Sequence, residues 1–187
     1  PRVSDGSMLF LQHMISKFKP VADDPKTAWV DGGTRMGIVL SGSPLFSGAA
    51  GSGESEIRRW ILEGDLLEGI VALPDQMFYN TGISTYVWIA TNRKPDDRRG
   101  KVVLVDARDM GTKMRKSLGD KRKELTDDAI AEITDLFVHA LEVNDPRVKV
   151  MGNADFGFAR VTVERPLRRV WRIDDTTWAA IATSKPV

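Results

Sequence analysis

The chain has no cysteine. Disulfides, zinc–thiolate clusters and thiol nucleophiles are thereby excluded within it, and the absence fits a reducing, cytoplasmic setting. Histidine is almost as scarce: only His13 and His139 occur, far apart and each inside a predicted helix. A metal centre needs several ligands close together, so both read as structural residues and no metal site is expected. No apolar run approaches the ~20 residues of a membrane-spanning helix, and the N-terminus carries no signal-peptide core. No G-x-S-x-G elbow marks a serine hydrolase. A surplus of one sign of charge is missing too. With 27 basic residues against 26 acidic, the net charge is +1, so nucleic acid would have to be met by a local patch.

What is present suits one α/β core, which 187 residues with 42% apolar content can bury without a second domain. Ser4 is placed to cap a helix with Leu11, Met14, Ile15 and Phe18 at helical spacing, stopped by Pro20. Because that core-facing helix begins so close to Pro1, the sequence reads as part of a longer chain. Met36 to Leu40 is a short continuous apolar run, which predicts a strand covered on both faces. A glycine-rich stretch follows, and then a helix capped by Ser52, with Glu54 and Glu56 in its first turn, Ile57, Trp60 and Ile61 on one face and Gly64 at its end. Leu67 to Leu73, Ile83 to Ala90 and Lys101 to Ala107 predict three further strands. Thr126 caps a helix bearing Ile130, Ile133, Phe137, Ala140 and Leu141. Between these last elements, Asp109 to Lys123 is rich in Lys and Arg and poor in apolar residues, which predicts an exposed, mobile segment. Phe158 to Glu164 alternates like a strand, and a basic segment, Arg165 to Arg172, follows it.

Three features bear on chemistry. Gly48 to Ser55 has the glycine spacing of a phosphate loop, but Glu54 stands where that motif needs lysine, and an acid beside a phosphate is repulsive. A loop feeding a capped helix is the better reading. The second feature is Pro74 to Gly82, too long for a simple hairpin turn and carrying Phe78, Tyr79 and Asn80 side by side. Aromatic faces and an amide are what a flipped base requires of its pocket, although a core-plugging Phe78 followed by a Tyr79-Asn80 turn uses the same residues. The third is basic: Arg93, Lys94, Arg98 and Arg99 are candidates for DNA phosphates. So is the run from Lys113 to Lys123, but interleaved acids allow an ordinary solvated surface in both places.

Taken together, Asp5 to Met14, GIVLSGSPLFSG with GESEIRRWILE, IVALPDQMFYNTGISTYVWIATNRK and GKVVLVDAR resemble, in order and spacing, the modification subunit of type I restriction-modification systems. Members of that family are adenine-specific DNA methyltransferases using S-adenosylmethionine. The resemblance implies a Rossmann-like α/β fold, specifically the second half of the methyltransferase sheet, mostly parallel with a terminal antiparallel strand pair. It implies that residues 1–142 are the C-terminal half of the catalytic domain and 143–187 an extension concerned with assembly. The family's glycine-rich cofactor motif and Asn-Pro-Pro-Phe catalytic motif are not in this sequence, so no catalytic residue is assigned, and the isolated chain is expected to be inactive and to lack most of the cofactor pocket. What carries over is the target-base wall, with Phe78 stacking on the adenine and Tyr79 and Asn80 beside it. Ser41, Gly42, Ser43, Pro44 and Phe46 would form the opposite border of the cleft. DNA, a specificity subunit and a restriction subunit are the implied partners. The alternative is a non-catalytic nucleic-acid-binding or subunit-assembly module.

Overall fold

A computed structural model describes residues 6–21, 32–158, 161–165 and 174–184. In chain order the elements are α1 (Ser7–Ile15), β1 (Arg35–Ser41), α2 (Ser43–Phe46), α3 (Gly53–Glu63), β2 (Leu67–Ala72), β3 (Thr85–Thr91), β4 (Lys101–Asp106), β5 (Thr112–Leu118), β6 (Lys121–Glu124), α4 (Asp127–Val138), β7 (Val148–Gly152) and α5 (Asp175–Thr183). Five strands make one mixed, Rossmann-like sheet in the order β1-β3-β2-β4-β7, and β5 and β6 make a separate ribbon. Strands β1, β2 and β4 run one way. β3 is inserted antiparallel between β1 and β2, β4 pairs parallel with β2, and β7 closes the far edge antiparallel to β4.

The central strands are apolar on both faces because each face has its own helices. Ile70, Trp88, Ala90 and Val102 join Met8 and Leu11 of α1 and Ile57 and Ile61 of α3 in one core. Val71, Val103 and Val105 point the other way, onto Ile133, Leu136 and Phe137 of α4. Gly69 permits that second contact: a Cβ there would lie 2.5 Å from both the Phe137 ring and the Val103 carbonyl.

Local signals set the helix ends. The Ser52 hydroxyl accepts the Ser55 N–H at 3.4 Å, and Thr126 does the same for Ala129 at 3.2 Å. At the other end of α3 the left-handed residue is Asp65 (φ +52°), one past Gly64. The Leu66 N–H reaches the Ile61 carbonyl and the Asp65 N–H the Leu62 carbonyl, the hydrogen-bond pair of a Schellman end.

Several expectations are corrected. β1 is an edge strand covered on one face only, with Val39 exposed on the other, because α4 reaches over β2 and β4 and stops short of it. Trp60 and Met14 face outward. The basic segment after Asp109 forms the β5–β6 ribbon. Beyond the expected boundary at residue 142, Val148–Gly152 adds a fifth strand to the sheet by pairing with β4. Residues Val161 to Arg165 have no regular structure and expose Val161 and Val163. Ser4 and most of the basic segment after Arg165 lie outside the described residues.

Candidate functional site

The strand directions put the C-terminal ends of β1, β2 and β4 and the N-terminal end of β3 on one edge of the sheet, where loops of open α/β sheets bind ligands. Ser41, the last residue of β1, lies opposite Thr85, the first of β3. The Ser41–Phe46 stretch and the aromatic loop are thus connected to neighbouring strand ends at one edge of the sheet. Residues 43–46 form the short helix α2, with Pro44 buried and Phe46 77% exposed. Arg58 of α3 secures this border by donating to the Pro44 carbonyl (3.0 Å) and the Ser47 carbonyl (2.6 Å). Burial lowers the Arg58 pKa, and the nearby Glu54 carboxylate partly offsets that. Glu54 itself is buried beneath the glycine-rich loop, which leaves no phosphate cradle there.

The aromatic loop leaves β2 at Leu73, whose N–H bonds the Thr85 carbonyl at 2.9 Å. Gln76 takes a left-handed conformation (φ +58°), and Phe78 pairs with Thr81 across the tip. Phe78 is 36% and Tyr79 63% exposed, and Asn80 is exposed as well. Phe78 therefore does not plug the core, and both aromatic side chains are exposed in the loop at this strand-end edge.

The loop rests on the β5–β6 ribbon. The Gln76 carbonyl accepts the N–H groups of Arg122 (2.9 Å) and Lys123 (3.1 Å), and the Tyr79 carbonyl accepts that of Asp120 (3.0 Å). Lys123 pairs with Asp75, and the Lys121 ammonium lies 5.5 Å from the Tyr79 ring centroid. Gly119, at φ +62°, lets the backbones meet: a Cβ there would sit 2.6 Å from the Tyr79 carbonyl oxygen. Sequence reasoning missed this platform because the ribbon has little apolar patterning. The Gly119-Asp120 turn was the available signal.

A cleft of about 370 Å³ opens at the same edge, lined in part by Leu45, Ala72, Tyr86, Asp106, Arg108 and Phe156. Its acid is already engaged. Arg108 grips Asp106 through two side-chain bonds (2.8 and 2.6 Å), which hold the Asp106 carboxyl below its ordinary pKa.

The four basic candidates after β3 are elsewhere. β3 is seven residues long, so the β3–β4 connection lies about 20 Å from the aromatic loop, at the opposite edge. Lys94 is 7% exposed, paired with Asp65 and donating to the Lys101 carbonyl at 2.8 Å. Arg98 is 8% exposed and donates to the Phe137 and Val138 carbonyls, both at 2.6 Å, at the end of α4. These two cations are buried and engaged by protein partners. Arg93 and Arg99 are exposed, Arg99 pairing with Asp96 at 3.0 Å. His13 and His139 are in no group able to hold a metal among the described residues. Among those residues, too, no helix is long and apolar enough to cross a membrane.

Comparison with known proteins bears on the same residues. The family model of the N-6 DNA methylases matches residues 2–162. The methylase subunit of the type I restriction enzyme MjaIX from Methanocaldococcus jannaschii is 33% identical over 127 residues, covering 68% of this chain and 21% of that protein. The HindI methylase subunit of Haemophilus influenzae is 32% identical over 145 residues, covering 78% of this chain and 28% of its own length. The chain thus spans less than a third of these relatives. Among solved structures, the type I restriction-modification methyltransferase subunit of Streptococcus thermophilus superposes with a TM-score of 0.62 at 26% identity, over 81% of this chain and 28% of that one. A family model that takes in both the aromatic loop and the strands presenting it leads to one assignment: the chain belongs to the N-6 DNA methylase family.

Proposed function

We propose that the protein containing this chain is a type I modification subunit that methylates the exocyclic amine of adenine in DNA, and that this chain supplies the target-base wall of its active site. The observation that carries the reading is the exposure of Phe78 and Tyr79 in a loop held at the strand ends by backbone bonds from the ribbon. A preorganised aromatic face can stack on an extruded base whatever its sequence context, and the Asn80 amide can both donate to and accept from the base edge. Phe78 would act by fixing the angle of the base, with Tyr79 beside it and Ser41 to Phe46 closing the far border, which is catalysis by orientation.

S-adenosylmethionine would supply the methyl group. The residues described here do not fit it: the one strand-end carboxylate of the cleft, Asp106, is held bidentately by Arg108, and the glycine-rich loop is closed over buried Glu54. The cofactor is therefore assigned to another part of the parent protein. Partners follow from the same reading: DNA, a specificity subunit and a restriction subunit. A non-catalytic module is not favoured, because the match is to methylases.

The test is Phe78→Ala in the parent protein. Base stacking worth ~1 to 3 kcal/mol predicts a methylation rate lower by about 5- to 150-fold, with cofactor affinity unchanged. Unaltered methylation kinetics would refute the stacking role.

A further inference from the structure

The β5–β6 ribbon carries more positive charge than its contacts with the aromatic loop use. From Thr112 to Glu124 it holds six basic residues, Lys113, Arg115, Lys116, Lys121, Arg122 and Lys123, against Asp120 and Glu124. That is a surplus of four positive charges in a chain whose overall surplus is one, so the remainder is net negative. Two of the six have structural work: Lys123 pairs with Asp75, and Lys121 lies over Tyr79. The other four, Lys113, Arg115, Lys116 and Arg122, are exposed and enter no ion pair among the described residues.

Two observations separate this from ordinary surface charge. Lys113 stands directly opposite Lys123 in the ladder, and like charges in that position are destabilising. Shielding a ribbon edge from aggregation needs only a lysine or two, and does not call for a cross-strand cation pair. The ribbon is also fastened to the aromatic loop through the carbonyls of Gln76 and Tyr79, so an anion bound to one is positioned relative to the other. A base stacked on Phe78 would bring its own flanking phosphates to this place.

We infer that the β5–β6 ribbon is a phosphate-binding element, with Lys113, Arg115, Lys116 and Arg122 gripping the duplex DNA backbone beside the extruded adenine. The inference rests on the functional reading above and assigns the phosphate contacts to the ribbon rather than to the β3–β4 connection, the other basic candidate. Phosphate contacts set register and affinity without reading sequence, which suits a subunit whose partner would supply specificity.

The experiment measures duplex DNA affinity of the parent protein against salt, with all four residues changed to Gln. Each lost phosphate contact lowers the slope of log K against log salt by about 0.9, so a decrease of about 2 to 4 is expected, with weaker binding at fixed salt. Thermal unfolding monitors the fold. Should the fourfold variant unfold, the pair Arg115→Gln and Lys116→Gln is expected to show about half the decrease. An unchanged slope in a folded variant overturns the inference. So does a slope carried instead by Arg93→Gln with Arg99→Gln at the opposite edge. In either case the effect of Phe78→Ala on methylation still tests the base-pocket reading independently. A wild-type protein without DNA affinity at low salt overturns both.

Discussion

Arg98 separates a structural cation from a DNA-binding one, and Arg98→Met makes the distinction measurable. Methionine keeps much of the aliphatic packing and removes the guanidinium. Four interactions go with it: donation to the Phe137 and Val138 carbonyls, a 3.6 Å approach to Glu68, and stacking 5.2 Å from the Phe137 ring centroid. Buried hydrogen bonds to a charged group contribute roughly 1.5 to 3 kcal/mol each, and a cation at a helix C-terminus adds about 0.3 to 1 kcal/mol. These terms share one group and do not add, so the expected loss is the ~3 to 5 kcal/mol typical of breaking a buried pair. Among the described residues Glu68 would retain Arg35 as its ion-pair partner, 2.7 Å from the same carboxylate oxygen and largely exposed. Equilibrium urea unfolding of Arg98→Met, Glu68→Gln and the double variant closes a cycle, with an expected coupling of about 0.5 to 3 kcal/mol. A single variant within about 0.5 kcal/mol of wild type would refute the structural assignment. So would a loss of DNA affinity without a loss of stability.

Two further outcomes follow from named contacts. Asp65 is pulled two ways: burial raises its pKa, but hydrogen bonds from Lys94, the Gly100 N–H and Asn153 together outweigh burial and hold it below its ordinary value. A depressed carboxylate stabilises the fold fully above its unfolded pKa of about 4, and that contribution is lost as pH falls through the folded value. Acid titration of stability should therefore decline less steeply below about pH 4 in Asp65→Asn, from a lower neutral plateau because buried Lys94 loses its counter-charge. Parallel curves for variant and wild type would count against the network. Gly119→Ala combines a left-handed backbone, costing about 1 to 2 kcal/mol, with a Cβ 2.6 Å from the Tyr79 carbonyl oxygen. Hydrogen exchange should quicken at Asp120 and Arg122, whose N–H groups bond the loop, while β2 and β4 amides stay protected. Unchanged protection at Asp120 would show that the ribbon does not depend on this close approach.

Much of the architecture is written in local pattern. Continuous apolar runs announce β2, β3 and β4 because strands covered on both faces have no polar side to show. Ser52 and Thr126 announce α3 and α4 because a capping oxygen must stand beside the first unpaired N–H groups. The aromatic loop could be picked out for the same kind of reason: its length exceeds any turn requirement, and its Phe78, Tyr79 and Asn80 have a plain chemical use.

Other features depend on partners distant in the chain. The β5–β6 ribbon is docked by carbonyls of Gln76 and Tyr79, some forty residues earlier, so its own composition, read as exposed charge or a phosphate candidate, does not show that it is a paired ribbon. β7 is half exposed and finds its place by hydrogen bonds to β4, which leave no mark in an apolar pattern. Nor does a lysine or arginine in sequence declare whether it will be buried. Lys94 and Arg98 became structural only because folding sets Asp65, Glu68 and the end of α4 around them, whereas of the ribbon's six cations Lys123 meets an acid, Asp75, and Lys113, Arg115, Lys116 and Arg122 stay exposed. Periodicity records which faces must leave water. Which strand neighbours which, and which charges meet, is decided by tertiary packing, and that decision buries Lys94 and Arg98 of one basic segment while leaving Lys113, Arg115, Lys116 and Arg122 of the other exposed.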